Sequence, residues 1–340
     1  MTQAGMHVGD IVRVTRPAAR NETMQIAISG ANGFVGRVLC ALLCDAGHDV
    51  NALVRRAGVG VARARECVIP DDNFASIAAG QPELKHCDVF VHLAARVHMM
   101  QDDAVDPLMA YRAANVDGTL NAAAAARRAG ARRIVFVSSV KALGDREPGR
   151  PWREDDIPAP VDPYGISKFE AEQALFAFGR TNGIEVVVIR PPLVYGPGVR
   201  ANFHGLMRAV DRGIPLPLGA IDARRSMVYV GNLADAIRTV ATRLEPVEGI
   251  YHVTDGDDLT VADMVEALAR ALGRPLRLLP VPVLWLRGIG RLTRRTAQVD
   301  RLTSSLRVDS SRLRRELGWT PPWSVLQGLA ETARAFKAAR

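Results

Sequence analysis

Apolar residues fall along the chain in short unbroken runs separated by stretches of longer period. The first run, Gln25-Ile-Ala-Ile-Ser29, breaks into three glycines and is followed by an apolar helical pattern from Phe34 to Leu43. Further runs are Asp49–Val54, the weaker Glu66–Ile69, Asp88–Ala95, Arg133–Ser138 and Glu185–Arg190, with helical patterns at Val105–Ala129 and Tyr164–Arg180. Continuous rather than alternating apolar runs suit strands buried on both faces of a parallel sheet. Strand and helix alternating at this spacing predict an α/β fold with a doubly wound parallel (Rossmann) sheet over residues 25–190.

The pattern after residue 190 is finer. It predicts a helix from an Asn232 N-cap to Ala241, a strand at Gly249–Thr254 and a helix over Val261–Ala271 capped by Thr260. Pro282–Leu292 is apolar at helical spacing, which reads first as core packing and second as a membrane-surface helix. Residues 191–340 are therefore expected to form mostly a smaller α/β substrate lobe, interleaved with the sheet edge. Residues 1–24 mix charge with short apolar pieces, have no signal-peptide core, and read as a loosely ordered extension.

Composition narrows the class of partner. With 340 residues, 48% apolar and 24% charged, the chain is ordinary for a globular protein with a large core. Net charge is 44 − 36 = +8, but the basic residues come as scattered pairs and only 5% of residues are aromatic. That disfavours nucleic acid and favours a small anionic ligand. Cys40, Cys44, Cys67 and Cys87 make neither a disulfide framework nor a zinc spacing, so no metal is expected. No apolar run approaches the ~18 residues of a membrane span, and a cytoplasmic location is expected. A homodimer is left open.

The candidate chemistry starts at the glycines. Gly30, Gly33 and Gly36 stand between a strand and a helix, the context of a dinucleotide fingerprint, although the spacing is G-x-x-G-x-x-G. The helix N-terminus behind them offers unsatisfied N–H groups to a pyrophosphate. At the end of the second strand, where an acid would hold the ribose hydroxyls of NAD, the chain has Val54-Arg55-Arg56. Arg55 and Arg56 suit a 2′-phosphate, so NADP is favoured and NAD stays open. Asp71 follows the third strand where an adenine amino group could be met, and Ala94 and Ala95 are small where backbone passes a cofactor. His92 reads as a core histidine. The strand-end rule puts Gly30–Gly36, Ala94 and Ser139 on one rim. Tyr164 and Lys168, four apart on a helix, share a face. An ammonium roughly 5 Å from the phenol, at an effective dielectric of about 20, supplies about 3 kcal/mol, lowering the usual ~10 by about two.

These signals in this order resemble the extended short-chain dehydrogenase/reductases, in the nucleotide-sugar epimerase/dehydratase branch. The resemblance covers Gln25 to about Pro322. It rests on Ser29–Gly36, His92-Leu-Ala-Ala95, Asn115-Val-Asp-Gly-Thr119, Val137-Ser-Ser139, Tyr164–Lys168, Arg190–Gly198 and Arg314–Trp319. It implies a nicotinamide cofactor held also by Asn32, Phe34, Val35, Leu93, Asn115 and Pro191. Catalysis would fall to Ser139 on the reacting sugar oxygen, Tyr164 moving its proton, and Lys168 on the nicotinamide ribose. Asn202 and Arg225 match positions that touch the nucleotide diphosphate. Dehydratases of the branch carry an acidic pair after the catalytic serine, where this chain has Val140-Lys141, so dehydration is not expected. The tracts around Ser139 and Tyr164 are similar to UDP-N-acetylquinovosamine dehydrogenases, UDP-4-ketosugar reductases of surface-polysaccharide synthesis. The resemblance thus implies a reductase at C4 of a UDP-sugar, with a UDP-hexose 4-epimerase as the alternative and a non-catalytic NADP sensor as the outsider.

Overall fold

The computed structural model describes residues 22–61, 63–97, 105–293 and 296–339. The chain runs β1 (Gln25–Ser29), α1 (Phe34–Asp45), β2 (Asp49–Val54), β3 (Arg65–Val68), α2 (Ala75–Ala78), β4 (Val89–His92), α3 (Pro107–Arg112), α4 (Gly118–Arg128), β5 (Arg133–Val137), α5 (Pro163–Asn182) and β6 (Glu185–Arg190). It continues through β7 (Leu193–Tyr195), α6 (Ala201–Asp211), β8 (Arg224–Arg225), β9 (Met227–Tyr229), α7 (Val230–Thr242), β10 (Gly249–His252) and β11 (Leu259–Thr260). Five helices close it: α8 (Val261–Leu272), α9 (Val283–Leu292), α10 (Thr296–Thr303), α11 (Ser311–Leu317) and α12 (Val325–Ala338).

Seven strands form one sheet in the order β10-β6-β5-β4-β1-β2-β3, and β1 to β6 pair in parallel throughout. The order reverses between β1 and β4, which is where a doubly wound sheet opens its ligand crevice. The expected α/β Rossmann sheet is therefore the observed one. Its core lies between the sheet and α4 and α5, where Phe90, Ile134, Phe136 and Leu175 pack on Ala122, Ala123, Ala125 and Ala126. Alanines on that helix let it lie close to the strands.

The chain divides into two compact units. One takes residues up to 142, 158–190 and 233–251; the other takes 143–157, 191–232 and 252–340. The second unit holds two small ribbons, parallel β7–β9 and antiparallel β8–β11. Its core gathers Val210, Ile221, Val261, Val265, Ala269, Leu272 and Ala333. Thr260 closes a capping box with Asp263 at the start of α8, as its N-cap position predicts.

Several local readings are corrected. The run Asp88–Ala95 stops being strand at His92, because the N–H groups of Leu93 and Ala94 turn onto Ser29 Oγ at 3.2 and 3.3 Å. The long alanine-rich helix is interrupted by a π-turn over Ala113–Asp117, with Thr119 Oγ1 donating to the Asn115 carbonyl at 2.6 Å. Asn232 is no N-cap; it lies inside α7, donating to Asp255 and to the Trp323 carbonyl at 2.7 Å each. A fully buried amide must satisfy itself wherever partners stand. Core packing describes only one side of α9, since Leu284 is 78% exposed. Of the N-terminal extension, residues 1–21 lie outside the described residues, while Met24 is already docked, its carbonyl accepting from Asp49 N at 3.0 Å.

Candidate active site

The crevice at the order reversal encloses about 570 Å³. Gly30, Asn32, Gly33, Phe34, Val35, Gly36, Arg55, Asp71, Leu93, Ala94 and Ala95 all line it. Arg56, Asn115, Tyr164, Lys168 and Pro191 are not part of that lining. The glycine turn works by close approach. A Cβ on Gly30 would lie 2.8 Å from Ala94 N, and one on Gly36 would lie 2.6 Å from Ala31 O. Gly30 also has φ +68°, which L side chains rarely adopt. The turn delivers the N-terminus of the twelve-residue α1 to the crevice. Ile69, Phe74, Arg96 and Ala114 also line the crevice, and no sequence motif marks them; Val137, which opens the Val137-Ser-Ser139 tract, lines it too.

At the β2 edge, Arg55 pairs with Asp72 at 2.8 Å, both largely exposed. Asp71 is occupied with Ser76, taking its backbone N–H at 3.1 Å and its hydroxyl. Burial pushes the Asp71 carboxyl up, but those hydrogen bonds outweigh it and hold it below the usual range. Arg56 is exposed and Pro191, directly after β6, is buried. Asn115 is 1% exposed; its amide donates to Arg96 O at 3.1 Å and Ser167 Oγ at 2.9 Å, and accepts from Arg96 N at 2.8 Å. It ties the loop after β4 to α5, so its geometry is that of a positioning residue. The π-turn around it is the local distortion that aims it there.

Ser139 and Tyr164 are brought together by the end of β5 and the start of α5. The Ser139 hydroxyl lies close enough to the Tyr164 phenol to pull its pKa down. Asp162 caps α5 by accepting from Gly165 N at 2.7 Å, Pro163 takes the first helical position, and Lys141 Nζ donates to Asp162 at 3.0 Å. The lysine that stands where dehydratases carry an acid thus clamps the serine turn to the helix. Gly165 permits the approach: a Cβ there would meet Lys141 O at 2.5 Å. No sequence motif announced either contact.

Lys168 is buried under the site, its ammonium donating to Val137 O at 2.7 Å and sitting 4.1 Å from the centre of the Phe136 ring. Burial pushes it down to about 7, against a smaller upward pull from Glu172. Tyr164 keeps part of its surface exposed, yet burial of the phenol pushes it up to about 12, with the Ser139 hydroxyl pulling the other way. The expectation that Lys168 lowers the Tyr164 phenol is not met, because burial of the phenol pushes it up instead. His92 is the core residue expected. It is bound to Ser29 Oγ at 2.7 Å, stacked between Phe90 and Phe136, and lowered to about 3 by burial and then by Lys168.

In the second unit Asn202 is exposed near the start of α6. Arg225 is half-buried and donates to Ser304 O at 3.1 Å. Burial and the neighbouring Arg301 hold its guanidinium below the usual arginine value. A cation that feels a second cation suits an anion, and Arg301 is a residue that no sequence motif singled out.

A family described as the NAD dependent epimerase/dehydratase family matches residues 26–253. The chain belongs to that family. It is accordingly an enzyme of the nucleotide-sugar oxidoreductase and epimerase kind. A UDP-glucose 4-epimerase of Vibrio cholerae is 40% identical over 320 residues, 93% of this chain and 97% of that protein. A GDP-6-deoxy-D-mannose reductase of Pseudomonas aeruginosa is 28% identical over 317 residues, 90% of this chain and 95% of its own. The crystal structure of a UDP-N-acetylglucosamine 4-epimerase from Bacillus cereus, 23% identical, has the same fold with a TM-score of 0.75 over 93% of this chain and 97% of that one. None of these three is a UDP-N-acetylquinovosamine dehydrogenase, and the match at 40% weights the epimerase alternative above the reductase. The family's dependence is on NAD.

Proposed function

We propose that this family member works at C4 of a UDP-sugar and that its reaction is the 4-epimerisation of a UDP-hexose. The observation that carries the reading is Ser139 set beside the Tyr164 phenol at the start of the helix that carries buried Lys168. It stands in a chain 40% identical along nearly its whole length to a UDP-glucose 4-epimerase. The crevice fits a dinucleotide, because Gly30, Gly33 and Gly36 line it at the N-terminus of α1, where backbone N–H groups can meet a pyrophosphate. A nicotinamide bound there supplies the acceptor and donor of hydride. The chain's own residues do the rest. Ser139 holds the sugar's O4 by its hydroxyl, and Tyr164 takes the O4 proton during oxidation and returns it on re-reduction. Lys168 fixes the cofactor's ribose, and the negative cofactor favours its charged form. Arg225, with Arg301 beside it, and Asn202 receive the diphosphate, and residues 191–340 serve mostly as the substrate lobe.

A second reading is a 4-ketosugar reductase that exchanges NADP. It is favoured by Arg55 and Arg56, which leave no acid at the end of β2 itself. A 2′-phosphate would draw Arg55 from Asp72, whereas ribose hydroxyls would use Asp72 as it stands. Purified protein incubated with UDP-glucose and no added nucleotide decides between them. Conversion to UDP-galactose, with NAD released on denaturation, is expected. No conversion, together with NADPH consumption on a UDP-4-ketosugar, would install the reductase; inactivity on both would remove C4 chemistry altogether.

A further inference from the structure

Helix α9 presents an unusual face. Leu284, Trp285, Ile289 and Leu292 are 78%, 70%, 56% and 87% exposed. At 3.6 residues per turn, these four and Gly288 fall within a sector of about 140°. Val283 and Leu286 on the opposite side pack onto the core of the second unit, and Gly290 is buried with them. Arg287 and Arg291 lie along one border of the apolar sector and are exposed. Arg287 makes a loose contact with Asp300, at 3.9 Å. Arg294 and Arg295 follow in sequence, and the whole chain carries +8. No described helix is long and apolar enough to cross a membrane.

An apolar sector holding an indole and bordered by guanidinium groups is the arrangement of a helix lying in the plane of a lipid interface. The indole settles at headgroup depth and arginines extend their stems to reach phosphates. A soluble protein partner would need no row of cations beside the leucines, whereas an anionic bilayer meets both features at once. We propose that α9 docks this enzyme reversibly onto an anionic lipid surface, lying parallel to it, with Leu284, Trp285, Ile289 and Leu292 inserted and Arg287 and Arg291 on the headgroups.

The test is co-sedimentation with vesicles of phosphatidylcholine and phosphatidylglycerol in equal parts, against vesicles of phosphatidylcholine alone, at low and high salt. Trp285 serves as the reporter, since Trp152 and Trp319 are buried and Trp323 is half-buried against Tyr229. Binding to the anionic vesicles with a blue shift of tryptophan emission, weakened by salt, is expected. Leu284→Ser/Trp285→Ser, and separately Arg287→Ser/Arg291→Ser, should each lower the apparent affinity about tenfold or more, with circular dichroism and turnover of soluble UDP-sugar unchanged. Equal binding to both vesicle types, or none, overturns the proposal. So does light scattering that shows a dimer which Leu284→Ser/Trp285→Ser splits, for then a second copy covers the face.

Discussion

Tyr164 and Lys168 each bear a cost of burial, which the proposed reaction would put to use. The phenol, at about 12, is a poor base until charge is placed around it, and its proton is useful only where Ser139 can share the oxygen it serves. Tyr164→Phe removes that proton and leaves the crevice intact, so turnover should fall by about 10²- to 10⁴-fold while NAD binding, followed by fluorescence, is unchanged. Lys168 is lowered from 10.5 to about 7. Between those values the unfolded chain binds a proton that the native chain lacks, so native stability rises with pH through that window. Below about 7 both states are protonated and the burial penalty is complete. Lys168→Met should therefore stabilise the chain at pH 7 by about 1–4 kcal/mol. The gain should shrink as pH climbs toward 10.5, and activity should be lost. Urea midpoints measured across pH check the sign; a gain that grows with pH would contradict it.

At the scale of elements, α5 is held from three sides. Asp162 and Lys141 fasten its start to the serine turn, and Asn115 reaches Ser167 from the π-turn. Glu172 makes a fully buried bidentate pair with Arg190 of β6 at 2.9 and 2.5 Å. Removing one partner of such a pair leaves a buried charge uncompensated. Glu172→Gln should lower stability by about 3 kcal/mol, read as a shift in urea midpoint. It should also push Lys168 further down, because Glu172 is what raises it. The glycine turn, Tyr164–Lys168 and the Thr260 cap were legible in sequence because each is a local pattern with a local cause. Asn232 and Asn115 were misread or half-read because their partners, Trp323 and Arg96, are chosen by tertiary contact. A cap and a buried clamp look alike until those partners are in place.

For the whole molecule, the crevice should couple cofactor binding to folding. NAD at about a hundred times its Kd adds about 2.7 kcal/mol to native stability, so the melting midpoint should rise by several degrees in calorimetry. An unchanged midpoint would mean that the nucleotide does not prefer the native crevice. The alternation of apolar runs determined the parallel sheet, and the order Gly30–Gly36, Ser139, Tyr164, Lys168 determined which ends of it would carry chemistry, because strand pairing and helix phase are set by residue type along the chain. Only the tertiary structure decided that Lys141 closes on Asp162 and that Arg225 feels the charge of Arg301. It alone decided that α9 turns an apolar face to solvent. Burial and charge environment are properties of what surrounds a side chain, and sequence spacing does not contain the surroundings.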